Sequence, residues 1–323
     1  MTRVEIPRVM QAAAIDRVGG PEVLTLHELP VPRLDDDEVL IELDTAGVGS
    51  WDAEMRDGWY PEGKPEFPLV LGTDGSGKVA AMGSHVRRFK IGEAVYAYSF
   101  LNAKGGFYAQ FVAVAAEKVA PIPKGLTMRE AGAIPTTGLT ALQGIDDALQ
   151  VKRGELVAIV GASGGVGTLA LQFAKLREAR VLGVASGADG VQLARKLGAD
   201  VAVDGRSGDL AEALESFAPE GLDAVLALAG GEALARVVEL VKNGGRAAYP
   251  NGVEPAPKER AGIRVTSYDA VADAPEFQRL AQAVEAVKLQ APIAATFPLA
   301  NAPEAHKRLA QGHVLGKIVL EIR

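Results

Sequence analysis

The chain has 323 residues, of which 48% are hydrophobic and 23% charged, with a net charge of −7 and no cysteine. Such a length suggests about two globular domains. The acidic balance, with no lysine or arginine run, gives nucleic acid no electrostatic footprint. The missing thiols exclude disulfides, thiolate nucleophiles, cysteine-held zinc and iron–sulfur clusters. In chain order, Met1 to Arg8 has no apolar signal core, and no run of about 18 apolar residues follows anywhere, so neither secretion nor membrane insertion is expected and the cytoplasm is the predicted location. Residues 9 to about 126 read as β-rich, with alternation at 39–44 and 107–114 and turn signals at Gly19-Gly20-Pro21, Gly72 to Gly75 and Lys104 to Gly106. This predicts a mostly antiparallel, barrel-like domain.

The pattern changes at Thr127. Thr127 and Glu130 form a capping box, with Leu126 placed as its staple, and open a helix that breaks near Pro135 and runs toward Asp147. Alternating strands and helices follow: strand 156–160, helix 166–177, strand 180–185, helix 189–197, strand 200–203, helix 208–217, strand 222–228 and helix 232–242. Gly244-Gly245 is expected to end that last helix, before strands 246–249 and 263–267. Such alternation predicts a doubly wound parallel sheet with helices on both faces, a Rossmann arrangement. Asp273 caps a further helix, a polar helix lies near 303–311, and strand 317–322 returns to the first domain. The predicted division is 1–127 with 267–323, and 128–266 between them.

The most informative stretch is 155–168. A buried strand runs into Ala162-Ser163-Gly164-Gly165-Val166-Gly167 and then a helix. Small residues let a pyrophosphate approach the backbone, and the helix N-terminus presents free N–H groups to it. Aligned on G-x-G-x-x-G, the first glycine is Ala162. An NAD-specific unit carries an acid at the end of its second strand, about 20 residues on. Here Ala185 and Ser186 stand there, which favours NADPH, with NADH as the alternative. Ser186 and Arg206 are the candidate partners of a 2′-phosphate. His27, His85, His306 and His313 show no ligand spacing, and no metal site is predicted.

The chain resembles the zinc-independent quinone oxidoreductase branch of the medium-chain dehydrogenase/reductase superfamily. The resemblance is carried by Gly19–Leu24, Ala46–Asp52, Arg56–Pro61, Gly72–Gly77, Gly106–Phe111, Thr137–Ala141, Ala162–Gly167 and Gly316–Leu320. It implies a GroES-like catalytic domain beside the Rossmann domain, and NADPH-dependent reduction of a quinone or an α,β-unsaturated carbonyl. Where zinc-dependent relatives carry a Cys, a Gly-His-Glu and a further Cys, this chain has Gly49, Gly72-Thr73-Asp74 and about Ala133. By position, Gly164, Gly165, Val166 and Gly167, with Ser163, line the pyrophosphate. Ser186 lies near the adenosine ribose, and Ala229, Gly230, Asn251 and Gly252 approach the nicotinamide. Lys317 contacts the cofactor and Thr137 lies under the ring. The chain departs from the family pattern at Gly49, Glu54, Gly190 and Gly205. The last two replace frequent 2′-phosphate ligands.

Tyr60 and Thr137 are the candidate donors to a substrate oxygen that gains charge. Asp52 is either an acid–base residue or an organiser of its loop. Tyr98, Phe100, Leu101, Trp51 and Trp59 are expected to wall the substrate pocket. Two other functions stay open. One is an enoyl-thioester reductase using Arg56, Arg87 and Arg88 for a CoA diphosphate; the other is a non-catalytic nucleotide-binding or structural protein. A homodimer is expected through the final strand of the parallel sheet.

Overall fold

Alternating side chains build the first part of the molecule. The computed structural model describes residues 6–61, 63–207 and 209–323; Met1 to Glu5, within the stretch read for a signal, lie outside the described residues, as does Gly208, the predicted first residue of one helix. The strands before Thr127 are β1 (Val9–Ile15), β2 (Thr25–Pro30), β3 (Glu38–Val48), β4 (Leu69–Val70), β5 (Asp74–Met82), β6 (Ala94–Tyr98), β7 (Phe111–Ala115) and β8 (Val119–Pro121), with one short helix, α1 (Ser50–Arg56). β1 pairs antiparallel with β2 and β4 in a three-stranded sheet. β3, β5, β6, β7 and β8 pair antiparallel in a second, larger sheet. Of the alternating run 107–114 only the part from Phe111 pairs as a strand.

The capping box forms as expected. Thr127 Oγ1 accepts from the Glu130 amide at 3.2 Å and Glu130 Oε2 accepts from the Thr127 amide at 2.8 Å. It opens α2 (Met128–Ala133); Ile134 then separates α2 from α3 (Pro135–Gln143), which passes into one π-helical turn at 144–148. The βα units are β9 (Leu156–Val160), α4 (Gly165–Leu176), β10 (Arg180–Ala185), α5 (Gly187–Lys196), β11 (Val201–Asp204), α6 (Leu210–Phe217), β12 (Leu222–Ala227), α7 (Glu232–Glu239), β13 (Val241–Pro250) and β14 (Arg264–Tyr268). All pairs are parallel, in the order β11-β10-β9-β12-β13-β14. β9 shows why both faces must be covered. Val157 and Ile159 join the core under α3 and α4, while Ala158 and Val160 join the core on the other face, with Leu214, Phe217 and Val237.

Contrary to expectation, Gly244-Gly245 does not cap a helix: α7 ends at Glu239 and β13 already begins at Val241. The glycines sit in an irregularity of β13, between the pairs Leu222–Val241 and Ala224–Arg246. Gly244, at φ +81°, turns its amide to the Gly262 carbonyl.

The C-terminal stretch contributes α8 (Ala274–Val287), β15 (Ile293–Pro298), α9 (Ala302–Ala310) and β16 (Lys317–Glu321). Phe277, Leu280 and Val284 of α8 pack into the core under α3 and α4. β16 pairs antiparallel with β3 and parallel with β15, which completes the seven-stranded sheet.

Candidate active site

β10 and β12 flank β9 on opposite sides, so the strand order reverses at β9. Ligand crevices in such sheets lie outside the carboxyl ends of the strands at that point. The turn leaving β9 occupies it. Its left-handed residue is Gly161 (φ +88°), one position before the predicted motif, while Ala162 is fully buried. Sequence alignment alone missed Gly161; the signal was the glycine that directly ends the strand. Gly164 caps α4 with no side chain of its own, so the amides of Gly165, Val166 and Gly167 begin the helix without a side-chain acceptor. A Cβ on Gly167 would stand 2.1 Å from the Gly161 carbonyl oxygen. The third glycine is therefore required by helix–strand contact.

A single segment from the other sheet crosses this turn. Gly316 bridges Gly164, and its amide donates to the Ser163 carbonyl at 2.9 Å. The next residue, Lys317, is buried, and its stem passes close to Gly165. Thr137 lies under the same glycine with its methyl toward it. The Thr137 hydroxyl donates to the Ala133 carbonyl at 3.0 Å, so its one proton is committed to its own helix. Geometry thus makes Thr137 a floor for the turn rather than a free donor. Ala229 stands beside Gly161, and Gly230 lies against the Glu254–Pro255 backbone. Asn251 donates from Nδ2 to Asp269 at 2.7 Å, while Gly252, at φ +91°, borders open space. Both pairs follow parallel strands, at the same end of the sheet as the glycine turn.

At the far end of the turn, Ser186 caps α5 and its Oγ lies 3.0 Å from His313 Nδ1. The other ring nitrogen, Nε2, lies 3.0 Å from both oxygens of Asp189. The His313 ring holds the Asp189 carboxyl below the ordinary carboxylate range. Arg206 is exposed and lies 3.9 Å from Asp204, whose other oxygen accepts from the Gly187 amide. The pairing of His313 with Asp189 carries no local sequence signal, because it joins segments 124 residues apart.

Near Lys317 the cleft holds a buried polar cluster. Lys317 Nζ sits 4.7 Å over the Trp51 ring, and Trp51 Nε1 donates to Thr73 Oγ1 at 2.6 Å. A Cβ on Gly47 would meet both Asp74 Oδ1 and Lys317 Cε, so that glycine lets the two side chains converge. Asp52 is fully buried and Asp52 Oδ2 accepts from the Gly49 amide at 2.8 Å and from the Tyr108 hydroxyl at 3.2 Å. Lys317 Nζ, Asp52 Oδ1 and Asp74 Oδ1 have no hydrogen-bond partner among the described residues.

The chain of bonds behind Asp52 has a fixed direction. Arg56 donates from Nη1 to His306 Nδ1 at 2.9 Å. A guanidinium has no acceptor, so the ring proton of His306 sits on Nε2, 3.1 Å from the Tyr108 oxygen, and the Tyr108 proton goes to Asp52. No proton can enter at the Arg56 end, because arginine does not deprotonate. The chain holds Asp52 in place and conducts nothing. Burial raises the Asp52 carboxyl to about 7, against the Gly49 amide and the Lys317 cation, which lower it. Burial, with Arg56 beside it, depresses His306 to about 3. His306, Tyr108 and Arg56 were missed as site residues; a lone histidine carries no sequence signal of its partners.

Tyr60 is half-buried against the core of the first sheets, and burial raises its hydroxyl pKa. No hydrogen bond joins it to Asp52 or Thr137 among the described residues. The Trp59 and Phe100 rings are tilted by 46° to one another with centroids 6.4 Å apart, and Leu101, next to Phe100 in the chain, is exposed. Arg56, expected at a CoA diphosphate, is instead buried in the His306 chain.

A zinc ion does not fit these residues. A Cβ on Gly49 would stand 2.3 Å from the Trp51 indole, so the ring fills the place of a first ligand. Thr73 is engaged by that indole, and Ala133 offers no donor. Among the described residues no three His, Cys, Asp or Glu side chains are grouped as a metal site.

Fold and cleft together define a nucleotide-binding parallel sheet joined to an antiparallel domain. Residues 35–124 match the alcohol dehydrogenase GroES-like domain and residues 197–320 the zinc-binding dehydrogenase model. Human quinone oxidoreductase is 30% identical over 97% of this chain and 98% of its own length. A structure described as an NAD-dependent alcohol dehydrogenase superposes with a TM-score of 0.89 at 32% identity, covering 97% of this chain and all of that one. The quinone oxidoreductase of Escherichia coli, complexed with NADPH, superposes at 0.86 with 25% identity, over 97% of this chain and 100% of its own. The chain belongs to the quinone oxidoreductase branch of the medium-chain dehydrogenase/reductase superfamily.

Proposed function

We propose that the protein is an NADPH-dependent reductase that delivers hydride to a quinone or an α,β-unsaturated carbonyl without a metal ion. The observation that carries the reading is the cleft itself: an uncapped helix N-terminus at Gly164, crossed by Gly316 and Lys317, beside a ligand position filled by Trp51. The reduced nicotinamide, when bound, supplies the hydride. The amides of Gly165, Val166 and Gly167 hold the pyrophosphate, and Lys317 adds a cation between that turn and the reaction chamber. Trp51, Trp59 and Phe100 offer apolar faces to a flat conjugated acceptor.

Negative charge develops on the acceptor oxygen and needs a donor. Tyr60 is the proposed side chain, since its hydroxyl makes no hydrogen bond among the described residues and burial raises its pKa. Asp52 is fully enclosed and serves as an organiser of the α1 loop, not as a group that meets substrate. The proton that completes reduction comes from solvent, because a quinone demands no dedicated acid.

The test is to mix the protein with NADPH and, separately, a quinone, an alkenal and crotonyl-CoA, and to follow nicotinamide absorbance. Oxidation with the quinone or alkenal supports the reading. Oxidation only with crotonyl-CoA favours a thioester reductase, and none with any acceptor favours a non-catalytic binding protein.

A further inference from the structure

Apolar side chains exposed singly are ordinary on any protein surface, whereas a contiguous group beside a cleft marks a contact site. Val18, Trp59 and Leu101 form such a group, at 43%, 49% and 39% exposure. They come from three separate stretches: Val18 from the turn after β1, Trp59 from the loop after α1, and Leu101 from the loop after β6. The first turn is tied to α1, because the Gly19 amide donates to the Arg56 carbonyl at 3.1 Å. Val18 stands over Gly58, its Cγ1 3.5 Å from the place of a Cβ there. The neighbouring Trp59 ring lies 6.4 Å from the Phe100 ring between centroids, and Leu101 follows Phe100 in the chain.

Leu101 is held there against its own preference. Its φ is +50°, a left-handed conformation that is costly for a bulky side chain and persists only where its surroundings enforce it. Hydrogen bonds flank it on both sides. The Ser99 amide donates to the Thr73 carbonyl at 2.8 Å, and Asn102 Nδ2 donates to the Ala113 carbonyl at 2.8 Å. Inward from the group, Phe100, Tyr60 and Trp51 are half-buried and pack on the core of the antiparallel sheets. The exposed rim therefore continues the wall of the reaction chamber. Glu54 lies three residues after Trp51 on the same face of α1 and makes that face acidic.

We propose that the acceptor carries an uncharged apolar chain, which lies along Val18, Trp59, Phe100 and Leu101 while its conjugated carbonyl sits between Trp51 and Tyr60. Such a chain covers the three exposed side chains and is itself covered by them, which the hydrophobic effect favours. Complete burial raises affinity about fourfold per methylene; an open rim covers one side of the chain, so about twofold per methylene is expected. A chain ending in a carboxylate or a CoA diphosphate would bring negative charge toward Glu54, which favours a neutral one. A quinone and an alkenal can both carry such a chain, and their two series separate the sources.

The inference rests on the reductase reading above, and binding measured apart from turnover separates the two. Calorimetry in the presence of NADPH compares butanamide with octanamide, which carry a carbonyl and a chain but no conjugated double bond to reduce. Octanamide is expected to bind about tenfold more tightly. Trp59→Ser and Leu101→Ser should each reduce that preference to about threefold or less. Ile91→Ser, at an exposed position before the opposite end of β6, should leave it intact. In parallel, kcat/KM is measured for 2-pentenal against 2-nonenal, and for benzoquinone against its pentyl derivative; the series that rises with chain length identifies the source. Equal affinity for the two amides, a preference untouched by both W59S and L101S, or a rise in neither kinetic series of a working reductase would overturn the proposal. A preference for octanamide without oxidation of any acceptor refutes the reductase reading alone. Oxidation of acceptors by a protein that binds the two amides equally refutes only this inference.

Discussion

Asp52 and His306 lie on either side of the Tyr108 hydroxyl, and burial moves them in opposite directions. The Asp52 carboxyl, raised from 3.8 to about 7, stabilises the fold fully below the lower value and loses that contribution as pH rises through the higher. His306, depressed from 6.5 to about 3, contributes fully above 6.5 and loses it as pH falls toward 3. The two slopes oppose each other across the same window. Chemical denaturation over that range should show stability rising with pH in Asp52→Asn and falling with pH in His306→Gln. Parallel curves for native and both variants would contradict the assignment. Tyr108→Phe leaves the His306 N–H without an acceptor and should lower stability by about 1–3 kcal/mol. Gly167→Ala forces a methyl onto the Gly161 carbonyl and should cost about 1–3 kcal/mol, read as a lower Tm, with weakened coenzyme binding. At this scale the sequence reveals what local spacing encodes. Gly164 to Gly167 were readable because strand, turn and helix are contiguous. His306 and Tyr108 were not, because their pairing joins residues 198 positions apart.

Elements were more legible than partners. β9 and β10 fall where apolar periodicity placed them, and α2 begins at its capping box. Thr127→Ala removes an acceptor from the Glu130 amide and should cost about 1 kcal/mol of stability, measured by thermal denaturation. The failure at Gly244-Gly245 has a physical cause. A glycine pair ends a helix or absorbs an irregularity in a strand equally well, and only pairing with β12 and the Gly262 carbonyl decides. Trp51 carries a similar lesson. A tryptophan two residues after Gly49 reads as pocket wall, yet its ring also fills the space over that glycine. β15 was not anticipated; Ile293–Pro298 finds its place only through β16.

At the scale of the whole molecule, two sheets share one cleft, and β16 carries chain from the glycine turn into the antiparallel sheet. β14 forms an edge of the parallel sheet, with its backbone open to a further strand. A homodimer through this edge is proposed, and light scattering at micromolar concentration should give twice the chain mass; a monomer mass would refute it. No helix among the described residues is long and apolar enough to cross a membrane. The fold class followed from the alternation of strand and helix after Thr127, whereas the acceptor did not, because the pocket wall depends on where Trp59, Phe100 and Leu101 meet in space. A coenzyme held by main-chain amides beside chemistry that needs no metal is probed most sharply by NADPH oxidation with a quinone after exhaustive dialysis against a chelator. Undiminished turnover is expected; activity that disappears and returns only with added zinc would overturn the metal-free reading.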